Sequence, residues 1–545
     1  VRLAEAARLW RTVRHLRREQ LTGRLWFRLY RPQPDTRPAP PLRARSGRWI
    51  EPAGREPSLL ADGRLRFLGV VHALPPGPQA WDDTSLDRLW RYNLHYFDDL
   101  NAIQAAARRD AQAALVTRWI AENPPGRGTG WEPYPASLRI VNWIKWFLGG
   151  APAPQAWLDS LAAQVRWLGE RIEWHLLGNH LFVNAKALVL AGLFFDGAEA
   201  ATWRERGLAI LRRELPEQVL ADGGQFERSP MYHALAFEDL LDLLNAAHAV
   251  AGGDALVGAL AADCHSRAAS MLHWLRCMSH PDGRLASFND SADGIAPTNA
   301  ELERYAAELG VVVAAPIGEQ EHLRDSGYVR LLQGRASLIA DVAPLGPDYL
   351  LGHAHADTLS FELSLGEQRL LVNGGTSRYG LGEQRLRERG TLSHNTVQLL
   401  GQDSSEVWSG FRVGRRARPF DLQVNERSIT CSHDGYRFLP GRPMHRRSWH
   451  LSQGELSVED LVTVPGLHGV ARFRLAPGLR LLAEQGTAWR IGDGERHIAR
   501  VEMRAGRGEP VPSTYAPRFG TVLATETLEV TLHEGRAHTV WTWED

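Results

Sequence analysis

Three short stretches carry residues able to bind ligands and move protons. His353-Ala-His355-Ala-Asp357 alternates as a strand does, which puts both imidazoles and the carboxylate on one face. Asn373-Gly-Gly-Thr, Tyr379 and Ser393-His394-Asn395-Thr396 follow closely. Two histidines with a further oxygen or nitrogen donor from neighbouring strands are the make-up of a zinc site. The second stretch, Gly178-Asn179-His180, opens a helix. Asn179 is a good N-cap, and His180 beside it is placed to face a cleft. The third, Asp222-Gly-Gly-Gln-Phe-Glu-Arg-Ser-Pro-Met-Tyr-His, is a turn into a helix with Pro230 in its first turn. It brings Gln225, Arg228 and Tyr232 to that helix's mouth. Upstream, Trp131, Tyr134, Arg139 and Asn142 lie in and before a helical stripe. The stripe's tryptophans suit a core, but Arg139 and Asn142 need polar partners or a ligand. These four, with Gln225 and Arg228, are the candidate substrate-binding residues.

The elements that must position these groups change character along the chain. From about residue 85 to 309 apolar residues recur at helical spacing, broken by Asn123-Pro-Pro-Gly, Gly149-Gly150, Asp196-Gly197, Asp222-Gly-Gly and Pro281-Asp-Gly. Many antiparallel helices with short loops predict a helical array or an α/α toroid. Beyond about residue 325 the runs are short, alternating and bounded by turn residues, the pattern of an antiparallel sandwich. The expected division is a basic helical extension and linker at 1–60, an α/α toroid at 61–315 and an antiparallel β-sandwich at 316–545. In the extension, Leu3, Leu9, Trp10, Val13, Leu16 and Leu21 recur at helical spacing among arginines. Their stripe is expected to pack on the body; the other reading is a membrane-surface helix.

Composition narrows the class. The 545 residues hold 63 basic and 63 acidic side chains, so the excess of positive charge typical of nucleic-acid binders is missing. The three cysteines, Cys264, Cys277 and Cys431, have no CxxC spacing, which leaves no cysteine-ligated zinc motif. Lysine occurs only at Lys145 and Lys186, and arginine supplies the rest of the positive charge. Arginine suits bidentate capture of carboxylates. The 19 tryptophans are a first pointer to carbohydrate, because an exposed indole can stack on a sugar face.

The order of Asn-His at a helix start, Asp-Gly with a later Arg before a Tyr-bearing helix, HxHxD, and then His-Asn-Thr resembles the heparinase II/III-like polysaccharide lyases, including alginate lyase relatives. The resemblance spans roughly residues 85–420. It implies an incomplete α/α toroid followed by an antiparallel β-sandwich, with β-elimination at the C4–O bond of a uronic acid in the cleft between them. By that resemblance Asn179 neutralises the substrate carboxylate and Tyr232 is the acid, in some members also the base. His180 and His353 assist as base or carboxylate partner, and Tyr379 is a second catalytic tyrosine. His355 and His394 match zinc positions, with Asn373 where metal-bearing members have an aspartate. A neutral amide is a poorer zinc ligand, and Asp357 stands nearby as a replacement.

The expected partner is an acidic polysaccharide or oligosaccharide and no nucleic acid, with peripheral membrane contact belonging to the other reading of the N-terminal helix. Work on such a glycan favours a periplasmic or envelope-associated place, although no signal peptide is visible in the chain. The arginines of 383–389 and 410–418 are expected to line a positive cleft. Rival readings are a glycoside hydrolase using Glu132 with Asp222 or Glu227, a uronate C5-epimerase, and a glycan-binding protein without turnover.

Overall fold

A computed structural model describes residues 2–250, 254–313, 316–484 and 486–544. Two helices, α1 (Arg2–Val13) and α2 (Arg18–Leu29), precede an extended linker and a small hairpin of β1 (Leu65–Phe67) and β2 (Val70–His72). The helical body follows: α3 (Arg88–Tyr96), α4 (Arg109–Glu122), α5 (Pro133–Leu148), α6 (Gln155–Glu170), α7 (Gly178–Phe194), α8 (Ala198–Gln218), α9 (Pro230–Ala249), α10 (Ala255–Cys277) and α11 (Asn299–Glu308). Helices α5, α7 and α9 are buried on almost every face, so their sequences are apolar nearly all round. The chain's two lysines tie these three together. Lys145 Nζ lies 2.9 Å from Asp242 Oδ2, and Lys186 Nζ lies 2.6 Å from the same oxygen and 2.7 Å from Asp239. The helix expected from Leu86 to Arg109 is shorter. It ends at Tyr96, where Phe97 turns left-handed (φ 62°), and continues as two short 3-10 turns.

The β half is antiparallel throughout its named sheets. A five-stranded sheet takes β3 (Gln320–Leu323), β4 (Tyr328–Gln333), β5 (Ala336–Asp341), β6 (Phe361–Leu365) and β7 (Gln368–Leu371) in sequence order. After α12 (Glu383–Arg389) come β8 (Val397–Leu399) and a two-stranded ribbon of β9 (Val407–Trp408) and β10 (Arg412–Val413). An eight-stranded sheet runs β11 (Pro419–Asn425), β12 (Ser428–His433), β13 (His445–Ser452), β14 (Glu455–Val462), β21 (Arg536–Thr542), β18 (His497–Ala505), β17 (Ala488–Gly492) and β16 (Arg480–Ala483). A four-stranded sheet runs β19 (Arg507–Tyr515), β20 (Leu523–Thr531), β15 (Gly469–Arg474) and β8. Along β13 and β14 buried residues alternate with more exposed ones, as a sheet with one face on a core requires. In β5 and β6 every residue is buried. The architecture is an incomplete α/α toroid followed by an antiparallel β-sandwich.

Each half has its own apolar core, and a smaller cluster joins them. That joint sets Trp274, Cys277, Met278 and Phe288 from the helical side against Leu323, Tyr328 and Ile339 from the strands. Helix ends at Glu308 and strand begins at Gln320; residue 315, the expected boundary, lies outside the described residues. The N-terminal pair reverses one expectation. Polar side chains dock it: Arg11 on Glu406 at 2.7 Å, Arg17 on Glu217, and Gln20 on the Tyr349 carbonyl at 3.2 Å. Most of its large apolar residues face out, with Leu3 88%, Trp10 64%, Trp26 61% and Leu29 70% exposed, while Phe27 packs on His175 and Arg171.

Candidate active site

The site is built where the start of α9, the segment after α10 and two loops of the sandwich meet. Ser229 caps α9 by accepting from the Tyr232 amide at 3.2 Å, and its hydroxyl donates to the Asp290 carbonyl. Pro230 at the first helical position fixes the entry. One turn of helix thereby carries Tyr232 to the cleft and holds the backbone of Asp290 beside it. The His353 ring lies tilted against the Tyr232 ring at 3.9 Å between centroids, and the two phenols of Tyr232 and Tyr379 lie 3.1 Å apart. Phe411 closes over Tyr379 and His353 at 5.2 Å and 6.0 Å.

Asp290 is the hub that no motif announced. Its Oδ2 lies 2.9 Å from His353 Nδ1, and its Oδ1 lies 2.8 Å from His355 Nε2. Arg385 of α12 grips both oxygens, one of them at 2.7 Å. Burial alone would raise its pKa, but Arg385 and the two histidines hold the carboxyl well below the usual range. Asp290 on Nδ1 favours the His353 tautomer that carries its proton there, with Nε2 turned to the cleft side. Burial, then Tyr379 and Tyr134, push the Tyr232 phenol well above its ordinary value. Tyr379 is raised in the same way, first by burial and then by Asp290. Both phenols therefore carry their protons at neutral pH and suit the acid role.

The start of α7 approaches the same place. Gly178, at φ 54°, brings the backbone so close that an added Cβ would sit 2.3 Å from Leu350 and 3.3 Å from Glu227 Oε1. Only glycine fits there. The other Glu227 oxygen lies 3.8 Å from His353 Nε2. Asn179 is not the cap: Leu177 is, and Asn179 stands in the first turn with no side-chain partner among the described residues. His180 Nδ1 lies 3.2 Å from Glu173 without hydrogen-bond alignment, and its ring is 4.4 Å from Tyr134. The structure thus brings together Tyr232, His353 and Tyr379, with Tyr134 beside Tyr232 and His180 against Tyr134.

Other candidates serve the fold instead. Arg139 is fully buried, donates to Gln164 at 2.9 Å and to the His95 carbonyl at 3.2 Å, and stacks on Trp119. Asn142 donates to the Tyr96 carbonyl and to Asp98. Trp131 is 3% exposed within the aromatic core. Gln225 accepts the Glu227 amide in a tight turn. Arg228 points away from the cleft to the carbonyls of Pro344 and Asp325, with its own backbone left-handed at φ 61°. In the arginine runs expected to line a positive cleft, Arg385 and Arg389 are buried on Asp290 and backbone carbonyls and Arg416 and Arg418 pair with Asp348, whereas Arg387 and Arg412 are exposed. Seven tryptophans are fully buried, so indole count is not a sugar signal here. Asp222 spends its carboxylate on the amides of Asp325 and Ser326, which removes it from any hydrolytic pair. A cation that the sequence reading passed over is Arg378, exposed, adjacent to Tyr379 and without a side-chain partner among the described residues.

The HxHxD segment is not a strand. Its amides go to three different places: Ala354 to Leu351, His355 to the Asn289 side chain, and Ala356 to Arg389. The loop nonetheless aims both imidazoles at Asp290.

Residues 81–308 match the model of the heparinase II/III N-terminus, and residues 316–544 match the heparinase II/III-like C-terminal model. The chain belongs to the heparinase II/III-like family. It is 28% identical over 344 residues to the heparin-sulfate lyase of Bacteroides stercoris, covering 58% of this chain and 49% of that protein. It is 26% identical over 479 residues to FtsZ-localized protein C of Caulobacter vibrioides, covering 83% and 79%. The chain spans about half the length of the heparin-sulfate lyases it matches. A solved heparinase III superposes with a TM-score of 0.62 at 16% identity, covering 96% of this chain and 84% of the other, a likeness of fold.

A zinc centre implied by the family resemblance was tested on its donors. His355 Nδ1 and His394 Nε2 face each other at 3.3 Å. Burial first pushes both pKa values down, His355 to about 4, so both are neutral donors near pH 7. Asn373 already accepts the Asn395 amide through its oxygen and reaches Ser360 with its nitrogen. Asp357 accepts the Asn289 amide, and burial pushes its carboxyl up to about 6. Two imidazoles with an engaged neutral amide do not fit a three-ligand zinc centre, and no step below passes through a metal.

Proposed function

We propose that this protein cleaves a uronic-acid-containing polysaccharide by β-elimination. The observation that carries the reading is the imidazole of His353, held on Asp290 at 2.9 Å and tilted against the Tyr232 ring at 3.9 Å between centroids. Elimination makes three demands. The carboxylate at C5 must be neutralised, the C5 proton removed, and the departing O4 protonated. Asn179, with its amide free of protein partners among the described residues, hydrogen-bonds the carboxylate and the developing enolate. His353 Nε2 takes the C5 proton. The phenol of Tyr232, kept protonated by burial, gives its proton to O4 and is re-supplied through the Tyr379 hydroxyl 3.1 Å away. His180 and Tyr134 flank the carboxylate end, and Arg378 meets substrate charge at the rim.

The test is incubation with a panel of uronate polymers, read by the ultraviolet absorbance of the new C4–C5 double bond. Unsaturated product is expected. Reducing ends without that absorbance would mean hydrolysis, and exchange at C5 without cleavage would mean epimerisation. Tyr232→Phe should lower turnover by about 10²-fold or more; unchanged turnover would remove it as the acid.

A second reading is glycan binding at a bacterial envelope without turnover, kept because the longer match is to a protein whose name states no lyase activity. The match to FtsZ-localized protein C covers 83% of this chain, against 58% for the lyase of B. stercoris. Binding without any unsaturated product would select it. Either reading suits peripheral attachment through α1 and α2, whose exposed Leu3, Trp10, Trp26 and Leu29 stand among arginines.

A further inference from the structure

We propose that His273, Cys277 and Glu321 form a binding site for a divalent transition-metal ion of the zinc class, joining the helical body to the sandwich. The site shares no residue with the proposed catalytic set or with the His355–His394 pair. His273 and Cys277 stand four apart on α10, so they project from one face a turn apart. Glu321 comes from β3, the first strand of the sandwich, and its Oε1 is pinned by the Gly318 amide at 2.7 Å. Its free oxygen, Oε2, lies 3.3 Å from His273 Nε2, and Cys277 Sγ lies 3.5 Å from the same nitrogen. One ligand atom from each residue lies within 4.8 Å of the other two.

These separations can be compared with what a metal requires. Tetrahedral zinc has bonds of about 2.0–2.1 Å to nitrogen, about 2.0–2.2 Å to a carboxylate oxygen and about 2.3 Å to sulfur, which sets ligand atoms about 3.3 Å apart for N and O and about 3.5 Å for N and S. The observed distances of 3.3 Å and 3.5 Å agree, so an ion enters with little movement of the nitrogen relative to its neighbours. Access is open: the His273 and Glu321 side chains are 26% and 21% exposed, whereas Cys277 is buried behind them. A fourth position is left for water. Binding replaces the thiol proton, which leaves to solvent, by a sulfur–metal bond. Thiolate and carboxylate then balance the two positive charges of the ion. Arg330 is the cation that acts on the thiol, and one of its nitrogens is already spent on the carbonyls of Arg276, Cys277 and Ser279.

The probe is cobalt(II), titrated into the reduced, chelator-stripped full chain. A thiolate-to-cobalt charge-transfer band of one equivalent is expected, displaced by zinc. Cys277→Ser should abolish the band, whereas Cys264→Ser and Cys431→Ser retain it; His273→Gln should weaken affinity at least tenfold. Zinc should raise the thermal midpoint of the wild type and leave that of His273→Gln unmoved. If circular dichroism finds Cys277→Ser unfolded, His273→Gln and the two control cysteines decide alone. A folded wild type without a band, or a band that survives His273→Gln at full affinity, overturns the site and leaves a hydrogen-bonded triad.

Discussion

Arg378 and Asp290 lie on opposite sides of the burial line at the proposed site. Asp290 is fully buried and saturated by His353, His355 and Arg385, so its charge stays inside and orients the base. Arg378 is exposed beside Tyr379 and is free to meet an anion arriving from solvent. Arg378→Ala is therefore expected to raise KM for an anionic glycan by about tenfold with kcat little changed, the signature of lost uniform binding. Steady-state kinetics on the first active polymer checks it; an equal loss in kcat would place Arg378 on the transition state instead. Residue identities were legible where chemistry is unusual: His353, Tyr232 and Asn179 stand out by type and neighbours. Asp290 was not, because Ser287-Phe-Asn289-Asp290-Ser looks like any polar loop. Its partners are 63, 65 and 95 positions away, and no local spacing encodes them.

The elements explain which other readings failed. Arg139 and Asn142 lie on a helical stripe that a cleft or a core could claim equally. Their partners are carbonyls at the end of α3, exposed where that helix unwinds at Phe97. The sequence pattern cannot announce a carbonyl left over by a neighbour's early termination. The two fold halves were legible because period 3.6 and period 2 survive in long stretches. The HxHxD loop mimics period 2 over five residues without joining a ladder. At this scale the sandwich carries a buried charge cluster between β13 and β14. Asp460 accepts from Arg447 at 2.7 Å and 2.9 Å and lies 2.7 Å from His445. Burial opposes its ionisation, but Arg447 and His445 pull its pKa down to about 2. A depressed carboxylate stabilises the fold above its unfolded value and loses that contribution as pH falls through the folded one. Asp460→Asn should thus cost about 3–5 kcal/mol at pH 7, because it strands a buried guanidinium. The gap to wild type should narrow between about pH 4 and about pH 2. Denaturant melts across that range check it, and a gap independent of pH would assign the cost to packing.

On the whole molecule, α1 and α2 are held by polar side chains to both halves, through Glu217 of the helical body and Glu406 of the sandwich. Among the described residues no helix is long and apolar enough to cross a membrane. Attachment at a surface is a different matter, since leucine and tryptophan point outward among arginines. The full chain is expected to sediment with vesicles rich in anionic lipid and not with neutral ones. Trp10→Ser with Trp26→Ser should abolish the effect without changing the fold. Sedimentation indifferent to both changes would leave the exposed face for another partner.

One arrangement has a consequence for how such a protein ages and fails. Tyr232 and Asp290 come from the helical body, His353 and Tyr379 from the sandwich, and each half has its own core. For the proposed elimination, turnover would gauge alignment, since a displacement of about 1 Å at reacting atoms can cost about 10²-fold. On slow warming, catalysis should fade at a lower temperature than far-ultraviolet ellipticity, and it should return on cooling while both cores are intact.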